Sequence, residues 1–104
     1  RNEFDLVVAD LSFISLKSVS RALTARLSQS GSLVVLVKPQ FEATKLEVDK
    51  SQGVIADQAI RDRVIGEVNE SFADQGWAVH GCIESPIHGA EGNVEYLVWY
   101  RFKA

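Results

Sequence analysis

The chain has 104 residues, of which 46% are hydrophobic and 24% charged, the composition of one ordinary globular domain with its own core. Its net charge of −3 excludes a general basic field that would draw the chain to nucleic acid. No apolar run reaches the roughly 20 residues needed to span a bilayer, and the single cysteine, Cys82, suits a reducing, cytoplasmic setting.

The first half of the chain has the pattern of a strand, a helix and a second strand. The short apolar run Phe4–Ala9 predicts the first strand. Apolar residues then recur at helical spacing as far as Leu27, with Ser15 placed to cap the helix and Gly31 just beyond its end. The continuous apolar run Leu33–Val37 is typical of a strand buried on both faces, and a Lys-Pro pair ends it.

The second half begins with a polar stretch, residues 40–56, whose sequence lacks clear periodicity, so a long loop is expected. Asp57 is placed to cap a second helix that ends before Gly76. The apolar stripe of this helix consists of Ile60, Val64, Val68 and Phe72. Residues 77–85 and 94–102 then predict a third and a fourth strand, joined by a short connection that contains glycines.

The predicted order, strand–helix–strand–loop–helix–strand–strand, indicates an α/β sheet. Strand–helix–strand units give parallel neighbours through right-handed crossovers, whereas the short connection between the last two strands gives an antiparallel pair. The fourth strand is apolar on both of its alternating faces. We therefore expect it inside the sheet, with helices on both sides.

Charged residues stand at the ends of the predicted strands. Asp10 follows the first strand and Lys38 the second, and open α/β sheets bind ligands at that edge. If the fourth strand lies antiparallel beside the second, Glu95 at its start faces the same crevice. Each residue also has an ordinary structural explanation, as a turn aspartate, a lysine that extends to water or a solvated glutamate. Convergence at one edge favours a functional site, and it depends on the predicted strand order.

The other chemically active residues predict no second site. His80 falls within the third strand and is expected to be a packed or edge residue, while His88 lies in the connection that follows. Neither has a His, Cys or carboxylate partner at metal-ligand spacing, so no metal site is expected. Cys82 is expected to be a small core residue, and no phosphate-binding or serine-nucleophile motif is present.

Four ordered segments carry a resemblance to one protein family. They are "DLVVADLSFISL", "LVVLVKPQFE", "QGVIAD" and "GNVEYLVW", and together they extend over essentially the whole chain. They resemble the C-terminal part of the TlyA family, FtsJ-like ribosomal RNA 2′-O-methyltransferases that depend on S-adenosylmethionine and are often labelled hemolysin A. The resemblance implies the C-terminal half of a Rossmann-like methyltransferase sheet, with strand order 4-5-7-6 and an antiparallel last pair.

The resemblance also implies what accompanies these residues. Residues 1–104 would form a partial FtsJ-like methyltransferase domain, with the cofactor-binding half and an S4-like RNA-binding domain upstream. The lack of methionine and a start almost directly in a strand favour a piece of a longer protein. The expected partner is ribosomal RNA or a ribosomal subunit, bound through the full-length protein, and the piece alone is expected to be inactive.

The family's catalytic set is Lys-Asp-Lys-Glu, and the resemblance carries three of its members to this chain. Asp10 in "VADLSF", Lys38 in "VKPQFE" and Glu95 in "GNVEY" match the aspartate, the second lysine and the glutamate, whereas the first lysine has no counterpart. The resemblance implies that Asp10 also contacts the cofactor and that Lys38 activates or positions the ribose 2′-hydroxyl group. The long loop after Lys38 would act as a lid on the substrate side.

Two other functions stay open at this point. The chain could be a non-catalytic interaction or hemolysin-type module, although its sequence has no basic amphipathic helix for membrane lysis. It could also belong to an enzyme that methylates a base or a protein, since "DLSF" loosely echoes the Asp-Pro-Pro-aromatic signature of amino-methylating enzymes without its prolines. We further expect the first strand to be an exposed edge through which the chain self-associates.

Overall fold

The structure, a computed structural model, describes residues 4–103. Its strands are β1 (Phe4–Ala9), β2 (Leu27–Val37), β3 (Trp77–Glu84) and β4 (Tyr96–Phe102). They form one sheet in the order β1-β2-β4-β3, in which β1 is parallel to β2 and β4 is antiparallel to both of its neighbours. The predicted α/β class, the inner position of the last strand and its antiparallel pairing are confirmed.

Helices and one 3₁₀ turn connect the strands. They are α1 (Leu16–Thr24), α2 (Pro39–Glu42), α3 (Lys45–Lys50), α4 (Gln58–Ala73) and the turn Ala90–Gly92. The two predicted caps are confirmed, because Ser15 accepts a hydrogen bond from the Lys17 amide at 3.1 Å and Asp57 accepts one from the Ala59 amide at 2.9 Å. Within residues 4–103, no helix is long and apolar enough to cross a membrane.

The predicted boundary between the first helix and the second strand is wrong. α1 ends at Thr24 and β2 already begins at Leu27, so Gly31 lies inside the strand rather than beyond the helix. Leu27 fits both patterns, but it pairs with Phe4 across the sheet and is buried. Gly31 permits the close pairing of β2 with β1, because a Cβ atom there would lie 2.7 Å from the Asp5 carbonyl oxygen.

Residues 40–56 contain short helices rather than one long loop. Pro39 opens α2, and Thr44 caps α3 through a capping box with Glu47. Arg63 on α4 donates to both carboxylate oxygens of Glu47, at 2.5 and 2.6 Å. These bonds between polar groups fix the segment without an apolar stripe, so hydrophobic periodicity does not reveal it.

The core lies on one face of the sheet, against α1 and α4. Its buried cluster joins residues of the two helices to inward side chains of the strands and includes Leu16, Leu33, Val35, Val68, Phe72, Val98 and Tyr100. The predicted stripe of the second helix supplies Val64, Val68 and Phe72 to the interior, while Ile60 is half-buried. Alternate residues of β2 therefore face this core, which orients the strand and its C-terminal end.

The opposite face of the sheet is covered by no helix of residues 4–103. Apolar side chains are exposed there, with 57% of Leu6, 66% of Val8 and 61% of Ile83 accessible. The prediction of helices on both sides of the fourth strand is thus wrong for the described residues. The expected core position of Cys82 is also wrong, because this cysteine is exposed on β3 at the edge of the sheet.

Candidate active site

Three predicted site residues meet at one edge of the sheet. Asp10 directly follows β1, Lys38 directly follows β2, and Glu95 directly precedes β4. Because Val37 pairs with Tyr96 in antiparallel register, the end of β2 and the start of β4 lie side by side. All three site residues line one cleft of about 420 Å³. The predicted convergence is found at the edge where open α/β sheets bind ligands.

Lys38 is held at the wall of this cleft. Its Nζ atom lies 2.7 Å from Oδ1 of Asp10 and donates to Oγ of Ser12 at 3.2 Å. Only 13% of the Lys38 side chain is exposed, against 63% for Asp10. The lysine therefore does not extend to water, and these two contacts leave one of its three N–H donors for a ligand.

Glu95 is enclosed at the back of the same cleft, with 5% of the residue exposed. Its Oε2 atom accepts a hydrogen bond from Nε2 of Gln40 at 2.7 Å. Gly89 packs so closely against this carboxylate that a Cβ atom at position 89 would overlap it. Glu95 is thus not a solvated surface charge, and the partner that the described residues give it is a neutral amide.

Asn93 builds the loop that carries Glu95, and the sequence reasoning missed it. This residue is 1% exposed, and its Oδ1 atom accepts from the Ile55 amide at 2.9 Å. Its Nδ2 group donates to the carbonyl oxygens of Gly53 and Ala90, at 2.8 and 2.9 Å. Asn93 therefore joins the "QGVI" and "GNVEY" segments, and its place directly beside a glycine and near Glu95 was the signal available in the sequence.

Glu42 fastens the loops that carry Asp10 and Lys38. At the end of α2, its two carboxylate oxygens accept from Oγ of Ser15 at 2.6 Å and from the Leu16 amide at 2.7 Å. Burial raises the pKa of Glu42 above its usual value, while the hydrogen bonds from Ser15 and Leu16 oppose that rise. The sequence reasoning missed this residue too, because nothing in the local pattern marks a buried glutamate.

An aromatic pair forms the rim of the cleft. Phe13 is 89% exposed, and its ring centroid lies 4.9 Å from that of Phe41. The backbone of Phe13 has a φ of 63°, in the left-handed region that bulky residues rarely adopt. Unusual backbone of this kind concentrates at binding sites. The rim therefore presents an aromatic face to any ligand that enters.

His88 lines the cleft, although the sequence placed it only in a connection. His80 is exposed on β3, where its ring centroid lies 5.3 Å from that of Trp99. Among residues 4–103, no group of three or more His, Cys, Asp or Glu side chains is arranged to hold a metal ion.

Open α/β sheets bind ligands at the edge where the carboxyl ends of their parallel strands lie, and Asp10, Lys38 and Glu95 stand at that edge. The family model of FtsJ-like methyltransferases matches residues 1–102. The chain therefore belongs to the FtsJ-like methyltransferase family.

Curated relatives carry the same resemblance. The chain is 46% identical over 97 residues to the 16S/23S rRNA (cytidine-2'-O)-methyltransferase TlyA of Mycobacterium tuberculosis, a match that covers 93% of this chain and 36% of the relative. It is 35% identical to hemolysin A of Brachyspira hyodysenteriae, over 91% of this chain and 39% of that protein. The predicted resemblance to the TlyA family is confirmed, and the chain spans little more than a third of the length of these relatives.

Solved structures agree with the fold. A Streptococcus thermophilus protein assigned as a hemolysin superposes with a TM-score of 0.88 at 35% identity, over 95% of this chain and 35% of that one. A Lactococcus lactis protein with the same assignment gives a TM-score of 0.86 at 36% identity, over 92% of this chain and 45% of that one. The four-stranded arrangement is therefore shared with longer proteins of this group.

Proposed function

We propose that the chain is part of an S-adenosylmethionine-dependent ribosomal RNA 2′-O-methyltransferase, in which Lys38 acts on the ribose 2′-hydroxyl group. The observation that carries the proposal is the ion pair between the largely buried Lys38 and the exposed Asp10, which shares one cleft with the buried Glu95. The FtsJ-like family and relatives named as rRNA methyltransferases support the reaction class and the substrate.

The polar residues of the cleft suit the demands of this reaction. A ribose hydroxyl is a weak acid and a poor nucleophile, so it must be aligned and must lose its proton as it attacks. Lys38 is held in place by Asp10 and Ser12, with one N–H donor to spare. A neutral lysine would accept the proton, whereas a charged one would position the oxygen. Both roles stay within the proposal.

Asp10 is the residue of this chain that we propose for contact with the methyl donor. S-adenosylmethionine supplies, when bound, an electrophilic methyl group on a positively charged sulfur. The Asp10 carboxylate suits a cationic ligand, because one oxygen holds Lys38 while 63% of the side chain stays exposed at the cleft. The fit covers one part of the ligand. We expect the remaining contacts in the portion of the relatives' length that this chain does not span.

The rim of the cleft suits a nucleobase. Unpaired bases stack on exposed aromatic side chains, and Phe13 presents such a face beside Phe41. The net charge of −3 gives no general attraction to phosphates. We therefore assign most of the RNA affinity to an S4-like domain of the full-length protein, and we assign residues 1–104 to the C-terminal half of its methyltransferase domain.

Lys38→Ala tests the proposed role in the full-length protein. We expect methyl transfer to ribosomal RNA to fall by about 100- to 10,000-fold, because alanine neither accepts a proton nor holds the hydroxyl group. The matched control is Lys45→Ala, which removes a lysine whose side chain is 90% exposed on α3 and paired with Asp49. The control should transfer methyl groups within about twofold of wild type. Full activity of Lys38→Ala would remove Lys38 from the mechanism.

The position of the transferred methyl group decides the reaction class. A 2′-O-methyl group blocks alkaline cleavage of the adjacent phosphodiester, because the hydroxyl group that would attack is no longer free. A methyl group on a base leaves that cleavage intact. Methylated RNA that is still cleaved at the modified nucleotide, or methylation of a protein instead, would contradict the assignment to ribose.

The isolated chain should be inactive because we assign to it only one residue for the cofactor, Asp10. We expect titration calorimetry with S-adenosylmethionine to show binding weaker than micromolar for residues 1–104 and tighter binding for the full-length protein. Micromolar binding by the chain alone would contradict this division of the cofactor site.

The edge strand β1 is proposed to mediate self-association of the isolated chain. It pairs with β2 on one side, and 50% of Phe4, 57% of Leu6 and 66% of Val8 are exposed. Such an edge is a template for pairing with another chain, and a charge placed on it prevents the pairing. Sedimentation should show concentration-dependent dimers for the wild-type chain and monomers for Val8→Lys. A wild-type chain that stays monomeric at high concentration would refute the proposal.

A further inference from the structure

Gln40 is a buried glutamine at the cleft, and the reaction proposed above assigns no role to it. It lies in the first turn of α2, two residues after Lys38, and is 8% exposed. Its Nε2 atom donates to Oε2 of Glu95 at 2.7 Å, across 55 positions of the sequence. Both residues line the cleft that also holds Lys38. The amide therefore contacts one candidate catalytic residue and belongs to the same turn as another.

The hydrogen bond fixes one oxygen of a buried carboxylate. Burial of a carboxylate is tolerated only where hydrogen bonds or a counter-charge compensate it. Among the ion pairs of residues 4–103, none includes Glu95. Gln40 thus supplies a hydrogen bond without neutralising the negative charge, and Gly89 packs against the same carboxylate and restricts its rotation.

The carbonyl oxygen of the same amide has no partner. Oε1 of Gln40 is buried, and no donor of the described residues reaches it. An unpaired buried carbonyl is unfavourable, and a methionine or leucine of similar volume would avoid it. Packing alone therefore does not explain an amide at this position. The hydrogen bond that its N–H group donates to Glu95 explains the amide.

We propose that Gln40 is a positioning residue for the methyl transfer proposed above, on which this inference rests. Lys38 and Gln40 project from one turn, whose backbone Pro39 restrains. From this turn Lys38 holds Asp10 at 2.7 Å, and Gln40 holds Glu95 at 2.7 Å. The turn thereby sets the spacing of two carboxylates that come from different strands, and it keeps the charge of Glu95 at the cleft.

Gln40→Met tests this role, because it removes the N–H group and keeps the volume. In the full-length protein we expect kcat for methyl transfer to fall about 10- to 100-fold, since a misplacement of about 1 Å at a reacting centre can cost about 100-fold. KM for ribosomal RNA should change by less than about threefold, because Gln40 is 8% exposed and we assign most of the RNA affinity to the S4-like domain.

Gln40→Glu adds a second measurement, the pH dependence of kcat, which a residue with a packing role alone would not change. The new carboxyl group would contact Glu95, and two carboxyl groups at hydrogen-bond distance share one proton. While that proton is bound, its O–H group replaces the N–H group of the amide. After it leaves, two negative charges repel each other across the cleft. The ratio of variant to wild-type kcat should therefore fall as the pH rises through the range in which the pair loses that proton.

Gln58→Glu is the matched control for this pH series. Gln58 donates to Asp62 at 2.8 Å on the exposed surface of α4, the same kind of amide-to-carboxylate bond outside the cleft. Its ratio to wild type should stay flat over the same pH range. Circular dichroism at each pH confirms that the compared proteins are folded. If Gln40→Met unfolds, the pH series of Gln40→Glu decides.

Three outcomes overturn the inference. Wild-type kcat in folded Gln40→Met would show that Glu95 needs no positioning by the amide. A flat pH ratio for Gln40→Glu, like that of the control, would show that the contact does not affect the reaction. A wild-type protein that methylates no ribosomal RNA would overturn the proposed function itself, and the role of Gln40 with it.

Discussion

Two acid–base pairs of the molecule use a carboxylate in opposite ways. On the surface, Glu47 accepts from two nitrogens of Arg63, at 2.5 and 2.6 Å, so both of its oxygens are occupied. At the cleft, Asp10 holds Lys38 through one oxygen, and both groups keep hydrogen-bonding capacity for a ligand. The first pair fastens α3 to α4, and the second leaves donors and acceptors unused. An ion pair marks a candidate site only when such capacity remains.

The proton affinities of the surface pair follow from its closed geometry. Hydrogen bonds from Arg63 lower the pKa of Glu47 to about 2, and Glu47 in turn raises the pKa of Arg63. Arg63 also lies 3.4 Å from Glu67, which pairs with Lys17 of α1 at 3.2 Å. The surface pair is thus one link in a row of charges that joins three helices, and its function is structural.

The largest expected effect comes from replacing the carboxylate of each ion pair by the corresponding amide. Asp10→Asn keeps the size of the side chain but removes the charge that holds Lys38, so we expect kcat for methyl transfer to fall by about 100-fold or more. Glu47→Gln, the matched change at the surface pair, should leave kcat within about twofold of wild type. Turnover at saturating RNA and cofactor measures both. Equal losses in the two variants would erase the distinction between the pairs.

The second-largest effect is expected at Glu42. Both of its carboxylate oxygens accept hydrogen bonds, as those of Glu47 do, but Glu42 is buried. Glu42→Ala should lower the free energy of unfolding of the chain by about 1–3 kcal/mol, because the Leu16 amide loses its acceptor. Urea denaturation measures the loss, and Glu42→Gln, which keeps one acceptor, should lose less. An alanine variant as stable as wild type would show that water replaces the carboxylate without cost.

The pH dependence of that loss has a definite sign. Burial raises the pKa of Glu42 in the folded chain above its value in the unfolded one. Its contribution to stability is therefore fully present below the ordinary pKa of 4.5 and declines as the pH rises through the folded value. The cost of Glu42→Ala should be greater at about pH 4 than at about pH 7, and the opposite order would contradict the cause we assign.

The smallest expected effect is the loss of stability in Glu47→Gln at the surface pair. Its pH dependence has the opposite sign to that of Glu42→Ala. The folded pKa of Glu47, about 2, lies below the ordinary value of 4.5, so its contribution is present above that ordinary value and is lost as the pH falls towards about 2. Thermal melts should show Glu47→Gln a few degrees less stable at most near pH 6, since the pair lies at the surface with 41% of the Arg63 side chain exposed, and equal to wild type near pH 2. A deficit that is constant over this range would exclude the pair as its source.

The outline of the site was predictable because strand ends are visible in a sequence. Continuous apolar runs locate the ends of β1 and β2, so Asp10 and Lys38 could be placed at one edge before the fold was known. Glu95 followed from the antiparallel pairing of the last strand beside the second. These placements depend on burial along a strand, which is a local and periodic property.

The supporting residues were not predictable for the opposite reason. Gln40, Glu42 and Asn93 are polar residues that become buried through partners 55, 26 and 38 positions away. No local pattern distinguishes them from solvated residues of the same kind, because tertiary contacts alone decide their burial. The wrong end of α1 has a related cause, since Leu27 satisfies a helical and a strand pattern equally well.

The tight packing of Gly89 against Glu95 has a consequence for the interpretation of natural variants. Any side chain at position 89 takes the space of the carboxylate, and any replacement of Asn93 breaks up to three bonds of the same loop. Alleles altered at these two positions would disturb the loop and the carboxylate that we propose for the reaction, although neither change removes a charge. A geneticist who sorts natural variants by charge alone would classify both substitutions as neutral.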